Sequence, residues 1–199
     1  KGYPVYSVFA YPWAGLDPAT GNPQGYVNGS SSTDYASIIN TTKASELVYG
    51  GPAFPTVFGS LGNTFNYAGF SLATRISYKL GYNFGRTSIN YNNLFNSGAM
   101  HPDYANRWQQ AGDELETNVP SMVYPAVSRR DNFYNNSATL IEKGDHIRLA
   151  YVALSYELNK QWLAKLPFSS LQLQVNASNL GILWRANSLG IDPDYRENV

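Results

Sequence analysis

From Phe70 to Phe84 the chain alternates between two kinds of side chain without a break. Phe70, Leu72, Thr74, Ile76, Tyr78, Leu80, Tyr82 and Phe84 occupy the even positions; Ser71, Ala73, Arg75, Ser77, Lys79, Gly81 and Asn83 occupy the odd ones. A period of two sends successive side chains to opposite sides of an extended backbone, so the run predicts one strand with an apolar and a polar face. Its fifteen residues would reach about 50 Å at about 3.3 Å per residue. Strands of globular domains usually run only about five or six residues. Long strands with one greasy and one wet face are ordinary in outer-membrane barrels, which also place aromatics at both membrane interfaces. Phe70 at one end, with Tyr82 and Phe84 at the other, fit that placement.

Val57–Tyr67 reads as the partner strand, with Val57, Leu61, Phe65 and Tyr67 on one face and Phe58, Ser60, Gly62, Thr64 and Asn66 on the other. Only Ala68-Gly69 separates the two runs, which suits a tight hairpin. A second hairpin is predicted near the C-terminus. In His146–Leu158, Ala150, Val152, Leu154, Tyr156 and Leu158 form one face, with Ile147, Leu149 and Tyr151 blurring its start. In Ser170–Leu180, Leu171, Leu173, Val175 and Ala177 alternate with Ser170, Gln172, Gln174, Asn176 and Ser178. The connection 159–168 contains Trp162 and Pro167. Tyr3–Tyr11 is a fifth candidate strand, with Pro4 near its start where a missing N–H is tolerated. The strands then run up, down, up, down, up.

The two remaining stretches, about 13–55 and 86–145, are rich in Gly, Pro, Ser and Asn, far longer than a compact domain's usual connections. Short turns alternating with long polar loops are the asymmetry of an outer-membrane barrel, whose long loops face outward. No substantial helix is expected, although Gly98–Glu116 has room for a short one. No run of about 18 apolar residues exists to form a membrane-spanning helix, but a mean hydropathy of −0.33 suits a spanning β-structure as well as a soluble one. The 14 Lys and Arg balance 14 Asp and Glu, which argues against a nucleic-acid partner. There is no Cys, so disulfides, thiol catalysis and thiolate metal sites are excluded. The opening Lys1-Gly2-Tyr3-Pro4 resembles neither a signal peptide nor a natural start, and a piece of a longer chain is expected.

Ordered phrases along these segments carry a resemblance. Trp13-Ala14-Gly15-Leu16-Asp17-Pro18, followed by Thr20-Gly21-Asn22-Pro23, is similar to the GLDP-x-TG-x-P signature of SusC/RagA-type TonB-dependent outer-membrane transporters of Bacteroidetes. Pro55-Thr56-Val57-Phe58-Gly59, His101-Pro102-Asp103-Tyr104-Ala105, Arg107-Trp108-Gln109 and Gly112-Asp113-Glu114 follow in that family's order. So do Gly144-Asp145-His146-Ile147-Arg148-Leu149, Asn179-Leu180-Gly181, Trp184-Arg185-Ala186-Asn187 and Gly190-Ile191-Asp192-Pro193-Asp194. The resemblance covers essentially all of residues 1–199. It implies an all-β fold, an antiparallel transmembrane β-barrel, of which this chain supplies about five of the last six strands of 22. The plug domain, the segment that contacts TonB and the final strand are expected to lie outside it.

The function implied is TonB-dependent import of a large nutrient, an oligosaccharide or a peptide, across the bacterial cell outer membrane. A SusD-like surface lipoprotein would cap the barrel, and the other expected partners are the TonB complex, the rest of the barrel with its plug, and the lipid bilayer. No covalent chemistry is needed, so no catalytic group, cofactor or metal is expected. Arg75 and Lys79 are predicted to point into the lumen, where Gln172, Gln174 and Asn176 would join them. They either solvate the lumen, pair with plug carboxylates or contact substrate, and the first two readings are favoured. Tyr104, Arg107, Trp108, Asp113 and Glu114 could bind sugar by stacking and carboxylate hydrogen bonds. Folding the loop and seating the lipoprotein is the favoured role.

Asp17 with Asn22, and Asp192 with Asp194, superficially resemble calcium turns, but Asp-Pro and Gly-Asn-Pro are ordinary turn formers. Asp113, Glu114 and Glu116 could supply a glycosidase pair, yet clustering along the chain says nothing about facing across a bond. His101 and His146 lack metal-ligand spacing, and no phosphate loop or nucleophile elbow is present. The alternative from another class is a soluble carbohydrate-binding β-sandwich, which would bury the even face of Phe70–Phe84 against a second sheet. An outer-membrane adhesin without transport is the third reading.

Overall fold

A computed structural model describes residues 2–163 and 167–195. In chain order its elements are β1 (Ser7–Ala10), β2 (Gly25–Val27), β3 (Ser30–Ser32), α1 (Tyr35–Thr41), β4 (Val48–Pro52), β5 (Val57–Tyr67), β6 (Phe70–Leu80) and β7 (Asn83–Gly85). They continue with α2 (Tyr91–Ser97), α3 (Ser128–Asn135), β8 (Ile141–Lys143), β9 (His146–Glu157), α4 (Lys160–Leu163) and β10 (Gln172–Arg185). The chain is mostly strand and irregular backbone with few, short helices, and no helix among the described residues is long and apolar enough to cross a membrane. It divides into two compact units. One is built from residues 2–53 and 83–142, the other from Phe54–Tyr82 and Lys143–Tyr195.

The second unit is a four-stranded antiparallel sheet in the order β10-β9-β6-β5. β5 and β6 meet through Ala68 and Gly69 at φ +48° and +85°, the left-handed pair that a two-residue hairpin turn needs. Residues directly opposite in an antiparallel ladder share a face, so the register sorts the side chains. Tyr67, Phe70, Tyr156 and Leu173 form one row; Phe65, Leu72, Leu154 and Val175 form the next. Asn63, Thr74, Val152 and Ala177 follow, then Leu61, Ile76, Leu149 and Gly181, and then Gly59, Tyr78, Ile147 and Trp184. Val57 opposite Leu80 closes the set. One face is therefore apolar across all four strands, interrupted chiefly by Asn63 and Gly59 on the edge strand. It is also open, with Phe65 60%, Leu173 62% and Val175 75% exposed.

The other face carries Asn66, Ser71, Ser155 and Gln174, then Thr64, Ala73, Ala153 and Asn176, then Gly62, Arg75, Tyr151 and Ser178. Phe58, Lys79, His146 and Arg185 make its far row. The blurred start of the fourth predicted strand is a β-bulge. Between Arg75/Ile76 on β6 the partner steps from Tyr151 to Leu149, leaving Ala150 as the extra residue. Ala150 is thus not a member of the apolar face as the sequence suggested. Leu149 and Ile147 replace it, because one inserted residue exchanges the faces of everything beyond it. β10 absorbs the same region with irregularities between Ser178/Gly181 and Ile182/Trp184, Asn179 taking φ +53°.

Several predicted bounds change. The strand from Phe70 stops at Leu80, because Gly81 turns at φ +75° and its N–H is bound by the Asp145 carboxylate at 2.7 Å. Tyr82 and Phe84 are buried rather than lying on the open face. β10 runs on to Arg185, five residues beyond the predicted end at Leu180. Tyr3–Tyr11 yields only β1, which pairs with β4 and not with the four-stranded sheet. Of the predicted connection 159–168, residues 164–166 lie outside the described residues.

The predicted loops are folded. In the first unit β2 pairs with β3, and α1 starts at Asp34, whose carboxylate takes the Ser37 N–H at 3.1 Å and hydroxyl at 2.6 Å. α2 starts at Asn90, whose side chain accepts from the Asn93 N–H at 3.0 Å, and ends at Gly98 in the left-handed region. These are ordinary N- and C-caps. Between residues 98 and 116 the only helical turns are the short 3-10 pieces Pro102–Asn106 and Asp113–Leu115. The core of this unit is Ile89, Tyr91, Val119, Tyr134 and Leu140, with Trp13, Leu94 and Phe95 packed around it.

Candidate functional site

Two sets of residues singled out by sequence fall in the two different units. On the sheet, Arg75 and Lys79 share the polar face of β6. Arg75 stands between Gly62 and Tyr151 in the register, exposed and without a salt bridge among the described residues. Gln174 and Asn176 lie on the same face, opposite Ser155 and Ala153.

Lys79 belongs to a denser cluster at the end of the sheet. Its ammonium donates to Asp194 Oδ1 at 2.7 Å. His146, directly opposite Lys79 and 1% exposed, has Nε2 3.3 Å from Asp194 Oδ2 and Nδ1 2.8 Å from the Gly144 carbonyl. The Tyr82 hydroxyl is 3.2 Å from the same Nδ1, and the Tyr82 ring lies where a Cβ on Gly144 would be, 2.3 Å from that position. Arg148 Nη2 donates to both oxygens of Asp192 at 2.6 and 2.5 Å, and its Nη1 donates to Asn179 at 2.8 Å. Its Nε stands 3.6 Å from Asp194.

The electrostatics follow from these distances. Burial tends to raise the Asp194 pKa, but the Lys79 hydrogen bond and the charges of Lys79, His146 and Arg148 outweigh it and leave the carboxyl below its ordinary value. The Tyr82 hydroxyl is pushed the other way, first by burial and then by the carboxylates of Asp194, Asp145 and Asp192. Asp192 and Asp194 thus serve ion pairs. Among the described residues no group of acidic, His or Cys side chains is arranged to hold a metal ion. From this cluster the sequence singles out Lys79 as a lumenal residue, Asp192 with Asp194 only as an ordinary turn, and His146 only as lacking metal-ligand spacing. The signal for the rest was present: His146 and Arg148 are two apart in a strand and so share a face, and Asp192 and Asp194 repeat that spacing.

The loop residues make a different set. The Arg107 guanidinium lies 4.2 Å from the centre of the Tyr104 ring and also donates to the Tyr104 carbonyl at 3.0 Å. Trp108 Nε1 donates to Glu114 Oε2 at 3.1 Å, and that oxygen also takes the Gly112 N–H at 2.8 Å. Asp113 Oδ2 accepts the Gln109 and Gln110 N–H groups at 2.9 and 3.0 Å. Glu114 is held below its usual pKa by hydrogen bonds from its own backbone N–H and from Trp108. The Trp108 ring packs flat against Gly21, within 2.4 Å of where a Cβ would sit. Trp108 Nε1, Asp113 Oδ2 and Glu114 Oε2 are thus engaged by the chain's own backbone and by each other.

Nearby in this unit, Arg130 is 2% exposed. It donates from Nε to Asn22 Oδ1 at 2.8 Å and from Nη2 to the Ser121 carbonyl at 2.7 Å. Asn22 is therefore a structural acceptor, and Asp17 accepts the Ala19 and Thr20 N–H groups at 3.0 and 2.8 Å in its own turn. Asp103 takes the Ser88 hydroxyl and the Arg86 guanidinium, each at 2.5 Å. Burial of Asp103 favours its neutral form, but these partners prevail and its pKa is lowered.

No protein-family model matches the chain, and no curated protein matches it. Solved structures do. A structure of the RagAB peptide transporter superimposes with a TM-score of 0.60 at 19% identity, covering 90% of this chain and 19% of that one. The RagAB peptide importer in its open-open state gives 0.62 at 19% identity over 94% of this chain and 19% of that one. The closed-closed state gives 0.61 at 19% identity over 89% and 19%. The chain spans about a fifth of the length of these proteins and shares the fold of that part.

Proposed function

We propose that this chain forms part of the wall of an outer-membrane β-barrel that imports a large nutrient, its apolar face against lipid and its polar face toward the lumen. The observation that carries the reading is the register: four adjacent strands sort their side chains into one continuous apolar face and one polar face. The apolar face is open to its surroundings, which favours contact with hydrocarbon over the buried inner face of a β-sandwich. Among the described residues both outer edges, β5 and β10, have no further strand beside them, and a membrane protein satisfies such edges with further strands. The SusC/RagA-like phrases support a SusD-like lipoprotein as the capping partner and TonB as the energy source, and the fold shared with the RagAB peptide transporter structures supports a transport role. The same structures are of peptide importers, so a peptide is the favoured cargo over an oligosaccharide. No chemical step, cofactor or metal is part of the proposal.

In this reading Arg75 and Lys79 face the lumen, and Tyr104, Arg107, Trp108, Asp113 and Glu114 shape an extracellular loop rather than bind cargo directly. The test is growth on peptides as the nutrient by a strain carrying the full-length protein, compared with one deletion of that protein and one of the TonB system. Uptake that vanishes in either deletion, with the protein in the outer-membrane fraction, is the expected result. A monodisperse soluble species in plain buffer would overturn it.

A further inference from the structure

After β10 the chain turns back across the polar face of the sheet as a strap, residues 186–195. The strap is braced within itself. The Asn187 side chain donates to the Ile191 carbonyl at 3.0 Å and accepts the Ile191 N–H at 3.1 Å, Arg185 donates to the Gly190 carbonyl, and Asp192 accepts the Asp194 N–H at 3.0 Å. Its grip on the sheet is mainly ionic, Asp192 on Arg148 and Asp194 between Lys79, His146 and Arg148; Asn179 of β10 also donates to the Tyr195 hydroxyl at 3.3 Å, and Pro193 is buried.

The two halves of this cluster differ in kind. Lys79, His146 and Arg148 stand on paired strands and are fixed by the ladder, Lys79 opposite His146 and Ser77 opposite Arg148. The carboxylates belong to a segment outside any strand, and their side chains keep 27% and 29% of their surface in solvent. Arg148 keeps only 10%, with Nε buried and without a hydrogen bond. Without the strap the sheet would present a guanidinium, an ammonium and an imidazole on one wall with no carboxylate opposite them in the register. Removing the strap leaves the Lys79 ammonium and Arg148 Nη2 without their carboxylate acceptors, and charge-assisted hydrogen bonds of this kind favour another carboxylate in their place.

We propose that Lys79, His146 and Arg148 form a carboxylate-binding site on the polar wall, filled at rest by Asp192 and Asp194 of the chain's own strap, and that an acidic peptide displaces the strap to occupy it. The inference rests on the reading of this wall as part of a peptide importer and names the cargo chemistry. The exchange trades one set of ion pairs for an equivalent set, so the strap's advantage is its tether, which keeps its carboxylates at a high effective concentration. Isolated carboxylates compete poorly against that. A peptide with two acidic side chains at the Asp-x-Asp spacing of residues 192–194 matches both positions at once.

The test uses the full-length transporter in detergent and three labelled peptides. One has a central Asp-Ala-Asp and an amidated C-terminus; the second has Asn-Ala-Asn, also amidated. The third is the Asn-Ala-Asn peptide with a free C-terminal carboxylate. Removing the tethered competitor in Asp192→Asn/Asp194→Asn is expected to tighten binding of the Asp-Ala-Asp peptide by about a hundredfold, the lower end of the range for tethering effects. Affinity for the amidated neutral peptide should stay unchanged, and adding Lys79→Gln and Arg148→Gln should abolish the gain. A gain with the third peptide instead would assign the site to C-terminal carboxylates and overturn the acidic side chain as its ligand. Equal tightening of all three, or none, would make the strap a mere cover or brace and overturn the proposal. A second measurement avoids altering the carboxylates: a Leu189→Cys label site in the strap should react faster when the Asp-Ala-Asp peptide is added and not with Asn-Ala-Asn. Loss of all peptide binding and uptake in the unaltered protein would instead strike at the importer reading.

Discussion

Placing a guanidinium on either face of the sheet separates lipid from lumen. Along β6 the six apolar rows from Phe70 to Leu80 span about 34 Å at about 3.4 Å per residue. At a strand tilt of about 40° that is about 26 Å along the membrane normal, the height of the apolar band of an outer-membrane barrel, about 25 Å. Ile76 lies in the fourth row, beside Leu61 and Leu149, about 3 Å from the midplane on this geometry. An arginine near the midplane on the lipid face costs about 2–4 kcal/mol, which is about 30- to 900-fold in the folding equilibrium. Thr64, opposite Ala73 on the polar face, belongs to a row about 5 Å from the midplane on its other side. Thr64→Arg should stay within about 0.5 kcal/mol, as surface substitutions usually do. The assay is reversible folding of the full-length protein into lipid vesicles, followed by tryptophan fluorescence and by heat-modifiable migration in gels. Equal costs for Ile76→Arg and Thr64→Arg, or a larger cost for Thr64→Arg, would refute the orientation and with it the membrane assignment.

Other consequences are as direct. Gly21 sits at φ +64° with the Trp108 ring 2.4 Å from its missing Cβ, so Gly21→Ala should cost about 1–3 kcal/mol by overpacking alone and lower the temperature at which the Trp108 near-ultraviolet signal is lost. Gly144→Ala collides with the Tyr82 ring at 2.3 Å and should expose His146 to solvent, read as faster modification by diethyl pyrocarbonate; unchanged reactivity would count against the packing described. The Asp103 carboxyl has a lowered pKa in the folded chain, so the folded state binds fewer protons there than the unfolded one. Its contribution is then fully present above the unfolded value of about 4 and is lost as pH falls through the folded value. Asp103→Asn should flatten that acid limb when loop proteolysis is followed against pH. Arg130→Ala leaves the Ser121 carbonyl and Asn22 without their donor and should destabilise the first unit by about 1–3 kcal/mol for each buried group orphaned, measured as earlier thermal unfolding.

The hairpin shows how far sequence reaches. Val57–Tyr67 was legible to the residue, because alternation and a tight turn are local. The apolar membership of Leu149 and Ile147 was not, since it depends on a bulge visible only when β9 is laid against β6. Trp108, Asp113 and Glu114 were read as a group from their clustering, yet which oxygen each donor would find could not be read along the chain. Arg130 offered no signal at all. It follows another arginine in an ordinary polar stretch, and one of the acceptors that satisfy it, Asn22, is 108 residues away.

Periodicity, together with the ordered phrases along the chain, determined by itself that this protein builds long two-faced strands, and that Arg75 and Lys79 stand opposite the greasy side. Such facts are written in near-neighbour spacing, because a strand's geometry repeats every two residues whatever surrounds it. Only the tertiary structure decided that the first predicted strand leaves the sheet, that the long loops are packed, and that Asp192 and Asp194 close over Lys79, His146 and Arg148. Lys79 and Asp194 are 115 residues apart, and a charge pair has no periodicity along the chain to announce it.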